Sequence, residues 1–211
     1  MQHQRGFTLV ELLIALTVFA VISGTTVGVM GLAINSKEKI EAVSDQITAL
    51  ERTRSLMRLD IAQIADRPYR DDRSVGAVSS FVGGRSAAAA LGDAPGGGQT
   101  ILGFVRHGWS NPGAVAPRPS IQHVRYVVRG DQLIRQSRVF VDATRETPVT
   151  EQVLQTNIRG VDVTFYGPRG WQDDWRPQAT QTTPAAVRIA FVHPDFGEIS
   201  QAFLARGSSE Q

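Results

Sequence analysis

Glu11 is the residue of this sequence whose surroundings demand most of its chemistry. It is the only charged residue between Arg5 and Lys37, and it sits in the first turn of a long apolar run. A bare carboxylate in hydrocarbon costs about 2.5 kcal/mol or more, so Glu11 requires a positive partner or neutralisation. Other reactive groups form no site by spacing. His3, His107, His123 and His193 stand apart, without the His-x-x-x-His or Glu-x-x-His spacing of a metal site. No Gly-x-Ser-x-Gly elbow occurs, and only a Ser-His-Asp arrangement assembled in space stays open. Asp173 and Asp174, with Asp162, offer oxygen ligands to calcium, but the spacing of an EF-hand loop is missing and a solvated acidic loop is the plainer reading. Gly96-Gly97-Gly98 lacks the Lys-Ser/Thr pair of a phosphate loop. Arg129-Gly130-Asp131 and Asp195-Phe196-Gly197 read as hairpin turns between strand patterns. No catalytic, cofactor or metal residue is assigned, and the chain is not expected to be an enzyme.

The element that must position Glu11 is a helix. Residues 12–34 are free of charge for roughly 23 residues, enough to cross a hydrocarbon core at about 1.5 Å per residue. Ser23, Gly24, Thr25, Thr26, Gly28 and Gly31 fall within it, and Gly24 with Gly28 forms a small-xxx-small pair. That pair fits close helix packing and equally the ordinary glycine content of membrane helices. Beyond the span, Ile40, Val43, Ile47, Leu50, Met57, Ile61 and Ile64 recur at steps of three and four, with Arg54 in the one gap. Glu38, Glu41, Asp45, Arg52 and Arg58 occupy the other face. Leu56 and Leu59 widen the apolar stripe, which favours packing on the protein's own sheet over a coiled coil. Pro68 closes the pattern. One helix from residue 7 to about 65 would be roughly 85 to 90 Å long.

After Pro68 the period changes to two. Strands are expected over 75–82, 101–106, 121–129, 132–141, 158–166, 186–192 and 198–205, with a loop over 86–98. Alternation such as Val124, Tyr126, Val128 and Val187, Ile189, Phe191 predicts an antiparallel sheet with one buried face. Trp109, Trp171 and Trp175 read as core or interface anchors. Arg106 and Arg125 read as members of weak ion pairs on exposed strand faces.

Composition bounds the whole. A chain of 211 residues, 42% hydrophobic and 20% charged, holds one membrane helix and one globular head of moderate size. Its net charge of +2 comes from 22 basic and 20 acidic residues spread along the sequence, so no nucleic-acid partner is implied. Without cysteine there is no disulfide, thiolate zinc site or cysteine nucleophile.

The stretch Arg5-Gly6-Phe7-Thr8-Leu9-Val10-Glu11 resembles the class III leader of type IV pilins and type II secretion pseudopilins. That leader is short and basic, with Gly at its last position, Phe as first mature residue and Glu at the fifth mature position. Gly6, Phe7 and Glu11 fill those places. A common secretory signal would be cut after the apolar run, behind small residues. The resemblance implies cleavage between Gly6 and Phe7 by the prepilin peptidase on the cytoplasmic side, methylation of the Phe7 amine, and retention of the apolar run. It also sets the orientation, which Arg5 against Lys37 and Lys39 leaves weak.

The head is similar to the type II secretion minor pseudopilin J. The similar segments are Leu50-Glu51-Arg52 through Asp66-Arg67-Pro68-Tyr69, Phe104-Val105-Arg106-His107-Gly108-Trp109, and Gly170-Trp171-Gln172-Asp173-Asp174-Trp175. The segment 86–98 is the least family-like. The resemblance implies a pilin-like α+β fold, a long helix on an antiparallel sheet. Its divisions would be a removed leader 1–6, a membrane and filament-core helix 7–34, a stalk 35–67, a periplasmic head 68–207 and a tail 208–211. Implied partners are minor pseudopilins I and K, with H adjacent, the major pseudopilin G, the peptidase and inner-membrane lipid. No cofactor is implied. Glu11 would neutralise the Phe7 amine of a neighbouring subunit. Three other readings stay open: a minor type IV pilin for surface pili or DNA uptake, a membrane-anchored binding module, and an anchored hydrolase.

Overall fold

The computed structural model describes residues 8–70, 77–108, 120–142, 144, 147–178 and 181–205. Gly6, Phe7 and Trp109 lie outside these. The chain divides into two units, Met1–Thr48 and Ala49–Gln211. Helix α1, Leu9–Ala62, contributes to both.

In the first unit the described side chains of α1 are exposed, apart from half-buried Ser23 and Gln46. The large apolar side chains from Leu9 to Ile34 are 49–78% exposed, and Ile40, Val43 and Ile47 are 48–69% exposed. A window of 18 residues in this helix has a mean hydropathy of 2.2 and no burial, the profile of a segment whose solvent is lipid or other helices. Ile40, Val43 and Ile47, expected on a stripe that packs on the protein's own sheet, are thus exposed.

In the second unit the stripe becomes core. Met57 and Ile61 are buried, with Leu50, Leu56 and Ile64 half-buried beside them. Arg54 is exposed and the inward place belongs to Thr53. Helix α1 stops at Ala62, short of residue 65, because the sheet claims its next backbone groups. His107 donates to the Gln63 carbonyl at 2.8 Å and Ala65 donates to the Val105 carbonyl at 2.8 Å. Helical bonding therefore ends before Pro68 is reached.

The strands form three antiparallel sheets rather than one. A ribbon pairs β1 (Tyr69–Arg70) with β2 (Ala77–Val78). The larger sheet has the order β3-β4-β5-β6-β7, from Phe81–Gly83, Gln99–His107, Ile121–Arg129, Gln132–Arg138 and Val149–Gln155. The smaller has the order β11-β10-β8-β9, from Gly197–Leu204, Ala186–His193, Arg159–Gly167 and Gly170–Gln172. Strand β6 ends at Arg138 instead of 141, and β7 and β9 were not expected from alternation. The two expected tight turns each join a hairpin. Gly130-Asp131 joins β5 to β6, with Gly130 at φ 61° as such a turn requires, and Pro194 to Phe196 joins β10 to β11.

The core gathers Phe81, Phe104, Tyr126, Phe165 and Trp175 with Met57, Ile61 and the inward side of β10. Phe81 meets Phe104 at 5.8 Å nearly parallel and Phe165 at 5.8 Å edge to face, both favourable ring arrangements.

The expected loop over 86–98 is corrected in its first half. Arg85–Leu91 forms helix α2, as the run Ala87 to Ala90 favours by propensity. Its Leu91 occupies the space that a Cβ on Gly103 would fill, 2.4 Å away. This helix and Tyr69 and Val78 cover the second face of the larger sheet, burying Val105 and Val82. Strands β4 and β5 are accordingly buried almost throughout. The expectation of one buried face fails here, and with it the exposed placement of Arg106 and Arg125, which are 7% and 1% exposed.

Candidate assembly site

Thr8 precedes α1 and caps it. Its side-chain oxygen accepts from the Glu11 backbone N–H at 3.3 Å, and its carbonyl accepts from Leu12 N–H at 3.2 Å. Thr8-Leu9-Val10-Glu11 has the Thr-x-x-Glu spacing of a capping box, so one local rule places Glu11 in the first turn, where the helix dipole favours a carboxylate. The threonine hydroxyls in the apolar span are satisfied within the helix. Thr17 donates to Leu13 O, and Thr25 and Thr26 donate to Ile22 O, each at 2.8 Å. Glu11 makes no ion pair among the described residues and is exposed.

Asp60, on the same helix, is met entirely by its own chain. It is fully buried. Arg135 donates to it through Nε at 2.6 Å and Nη2 at 3.0 Å, Tyr126 through its hydroxyl at 2.7 Å, and Arg106 through Nη1. Tyr126 and Arg135 are cross-strand partners on β5 and β6, which is why both reach one carboxylate. Burial and the Asp60 charge push the Tyr126 hydroxyl well above its usual value. Burial opposes the Arg135 charge, but Asp60 outweighs it and raises the guanidinium above its ordinary value. Two turns earlier Thr53 shares its hydroxyl between Ala49 O and Leu154 O, at 2.8 and 2.9 Å, and accepts from Gln155 Nε2 at 2.7 Å. Thr53 and Asp60 lie seven residues apart, on the face of Met57 and Ile61. That spacing was the available signal, and it identifies both as the polar attachments of α1 to the larger sheet.

Asp174 is not free for a cation. Its carboxylate accepts from the Ser86 N–H at 2.7 Å and hydroxyl at 2.8 Å, holding the first turn of α2, and faces Arg176 at 3.4 Å. Burial alone would raise its carboxyl, but the Ser86 bonds and Arg176 bring it below the usual value. Arg85, Arg169 and Arg176 line the same hollow as Asp173 and Asp174. Among the described residues no group of three or more His, Asp or Glu is placed to hold a metal.

The tryptophans separate by role. Trp175 is core, 4% exposed, and its Nε1 donates to Thr182 O at 3.1 Å. Trp171 is 38% exposed, beside Tyr166 and beneath the Arg188 guanidinium at 3.8 Å.

Comparison with known proteins places these features in one family. A family described as type II secretion system (T2SS), protein J, matches residues 28–205, and the prokaryotic N-terminal methylation motif matches residues 1–27. Type II secretion system protein J of Klebsiella pneumoniae is 33% identical over 96% of this chain and 96% of its own. That of Vibrio cholerae is 30% identical over 99% of this chain and 90% of its own. A chain in the crystal structure of the GspK-GspI-GspJ complex from enterotoxigenic Escherichia coli aligns with a TM-score of 0.64 at 27% identity, covering 78% of this chain and 99% of that one. With matches that run from residue 1 to the end of β11, the chain belongs to the type II secretion system protein J family, the minor pseudopilins of that machine.

Proposed function

We propose that this chain is a tip subunit of the pseudopilus that joins minor pseudopilins I and K, with H adjacent, and primes addition of the major pseudopilin G. The prepilin peptidase removes residues 1–6 on the cytoplasmic side, and the new Phe7 amine is methylated. Residues 7–34 then anchor the chain in the inner membrane and later in the filament core. Residues 35–67 form the stalk and 68–207 the periplasmic head. The role is structural, and no reaction is assigned to the head. Glu11 neutralises the Phe7 amine of a neighbouring subunit, an exchange of one buried charge for a pair that a low-dielectric setting favours.

The observation that carries this reading is the likeness to a chain of the Escherichia coli K-I-J complex, which extends over nearly all of that chain. The exposed span of α1 with its single carboxylate supports it. The test is co-purification in detergent of the full-length chain, tagged at its C-terminus, from cells that also express I and K. A complex containing all three is expected, and the absence of both partners overturns the reading.

A further inference from the structure

Strand β11 is an edge strand, and its outer side borders a groove. Helix residues Arg54, Arg58 and Ala62 form one wall, and Ser200, Gln201, Ala202, Phe203 and Leu204 form the other, around about 740 Å³. Five consecutive strand residues line it, so residues of both faces border it. What the groove meets is therefore the edge of the strand.

The hydrogen-bond phase of that edge follows from the register. Ala205 N–H donates to Ala185 O at 3.0 Å, and β10 pairs with β11 without a bulge from Ala186↔Leu204 to His193↔Gly197. Alternation along an antiparallel ladder then turns the backbone groups of Phe203 and Gln201 toward β10, and those of Leu204, Ala202 and Ser200 outward. Among the described residues, those outward groups have no backbone partner. Natural sheets blunt such edges with charged residues, proline or bulges. Gly197–Leu204 has one charge, Glu198 at its far end, no proline and no bulge against β10, and leaves Leu204 81% exposed.

The two walls match in length, and the helix wall alone carries charge, from Arg54 and Arg58. From residue 54 to 62 the helix rises about 12 Å, and from 200 to 204 the strand runs about 13 Å. Arg54 and Arg58 are one turn apart, about 6 Å, close to the step between alternate residues of an extended chain. Arg58 makes no ion pair among the described residues, and Arg54 makes only a long one of 3.7 Å to Glu51, with both side chains more than half exposed.

We propose that this groove docks an extended segment of a partner protein, which adds to the smaller sheet beside β11 and presents carboxylates at alternate residues to Arg54 and Arg58. Backbone pairing holds such a segment and the two guanidiniums set its register. This surface is distinct from the membrane span and from Glu11.

The test places a photoreactive benzoylphenylalanine at Leu204 of the full-length chain in cells carrying the complete secretion machinery. The cross-linked residue of the adduct is then mapped by mass spectrometry. Expected is a segment of another protein with Asp or Glu at alternate positions. Ala202→Pro removes one outward N–H in a position where an edge strand tolerates proline, and Arg54→Glu with Arg58→Glu reverses the wall. Each is expected to lower the adduct about tenfold or more while circular dichroism and thermal midpoint show a folded head. An adduct that persists in either folded variant overturns the proposal, as does one mapping to a helical segment, to a second copy of this chain, or no adduct at all. Co-purification with I and K reads the tip role separately, so the two can fail independently.

Discussion

One helix carries two carboxylates with opposite surroundings. Glu11, in its first turn, is exposed and makes no ion pair among the described residues. Asp60, two residues before its end, is fully buried and accepts four hydrogen bonds from Arg106, Tyr126 and Arg135. The difference lies in what the chain brings to each. Three neighbouring strands deliver guanidiniums and a phenol to Asp60, whereas residues 8–36 contain no positive charge at all. Near its C-terminal end the helix is completed by its own protein. Along the membrane-length span, the proposal assigns completion to lipid and neighbouring subunits.

The largest expected effect comes from Asp60→Ala. It leaves Arg106 and Arg135 buried without their counter-charge and should cost about 3–5 kcal/mol of head stability, measured as a shift in the denaturant midpoint. A loss under 1 kcal/mol would erase the contrast between the two carboxylates. Thr53→Val removes the second polar attachment and strands Leu154 O and Gln155. About 1–3 kcal/mol is expected from the same measurement, and an unchanged midpoint would leave Asp60 as the sole polar tie of α1.

A smaller, pH-dependent effect belongs to Asp174, whose carboxyl is depressed in the fold despite its burial. A depressed acid stabilises the fold above its unfolded value, near pH 3.9, and loses that contribution as pH falls through its folded value. The stability gap between the parent chain and Asp174→Asn should therefore be full at neutral pH and shrink below about pH 4. A constant gap would refute the linkage. The smallest effect on stability is expected from Glu11→Ala, within about 0.5 kcal/mol for an exposed site. The same variant should nevertheless show markedly reduced entry into pseudopili, read by shearing and immunoblot. Normal entry would sink the proposed charge pairing.

Much of this was legible in the sequence because it is written in local rules. The charge-free run, the Gly130-Asp131 turn and the alternation of Val187, Ile189 and Phe191 each depend on neighbours a few residues away. The attachments of Asp60 do not. Arg106, Tyr126 and Arg135 come from three strands, and nothing in their own segments says that a carboxylate from α1 will reach them. Arg125 was misplaced for a related reason. Alternation assigns one face of a strand to water, but α2 and Tyr69 cover that face of the larger sheet. The Ala87 to Ala90 run that supplies the cover reads as loop beside three glycines, although alanine is the best helix former. Gly6 and Phe7 enter only through resemblance, and the role proposed for them is recognition by a peptidase, which no local rule of folding expresses.

The placement of Thr53 and Asp60 has a mechanical consequence. They grip the sheet at two points about 10 Å apart along the helix axis, through bonds that reach β4, β5, β6 and β7. Tension applied along α1 would therefore load both attachments together. Parallel bonds must yield together, so the seam resists slippage by more than either bond alone. Such a joint suits a shaft pulled from one end.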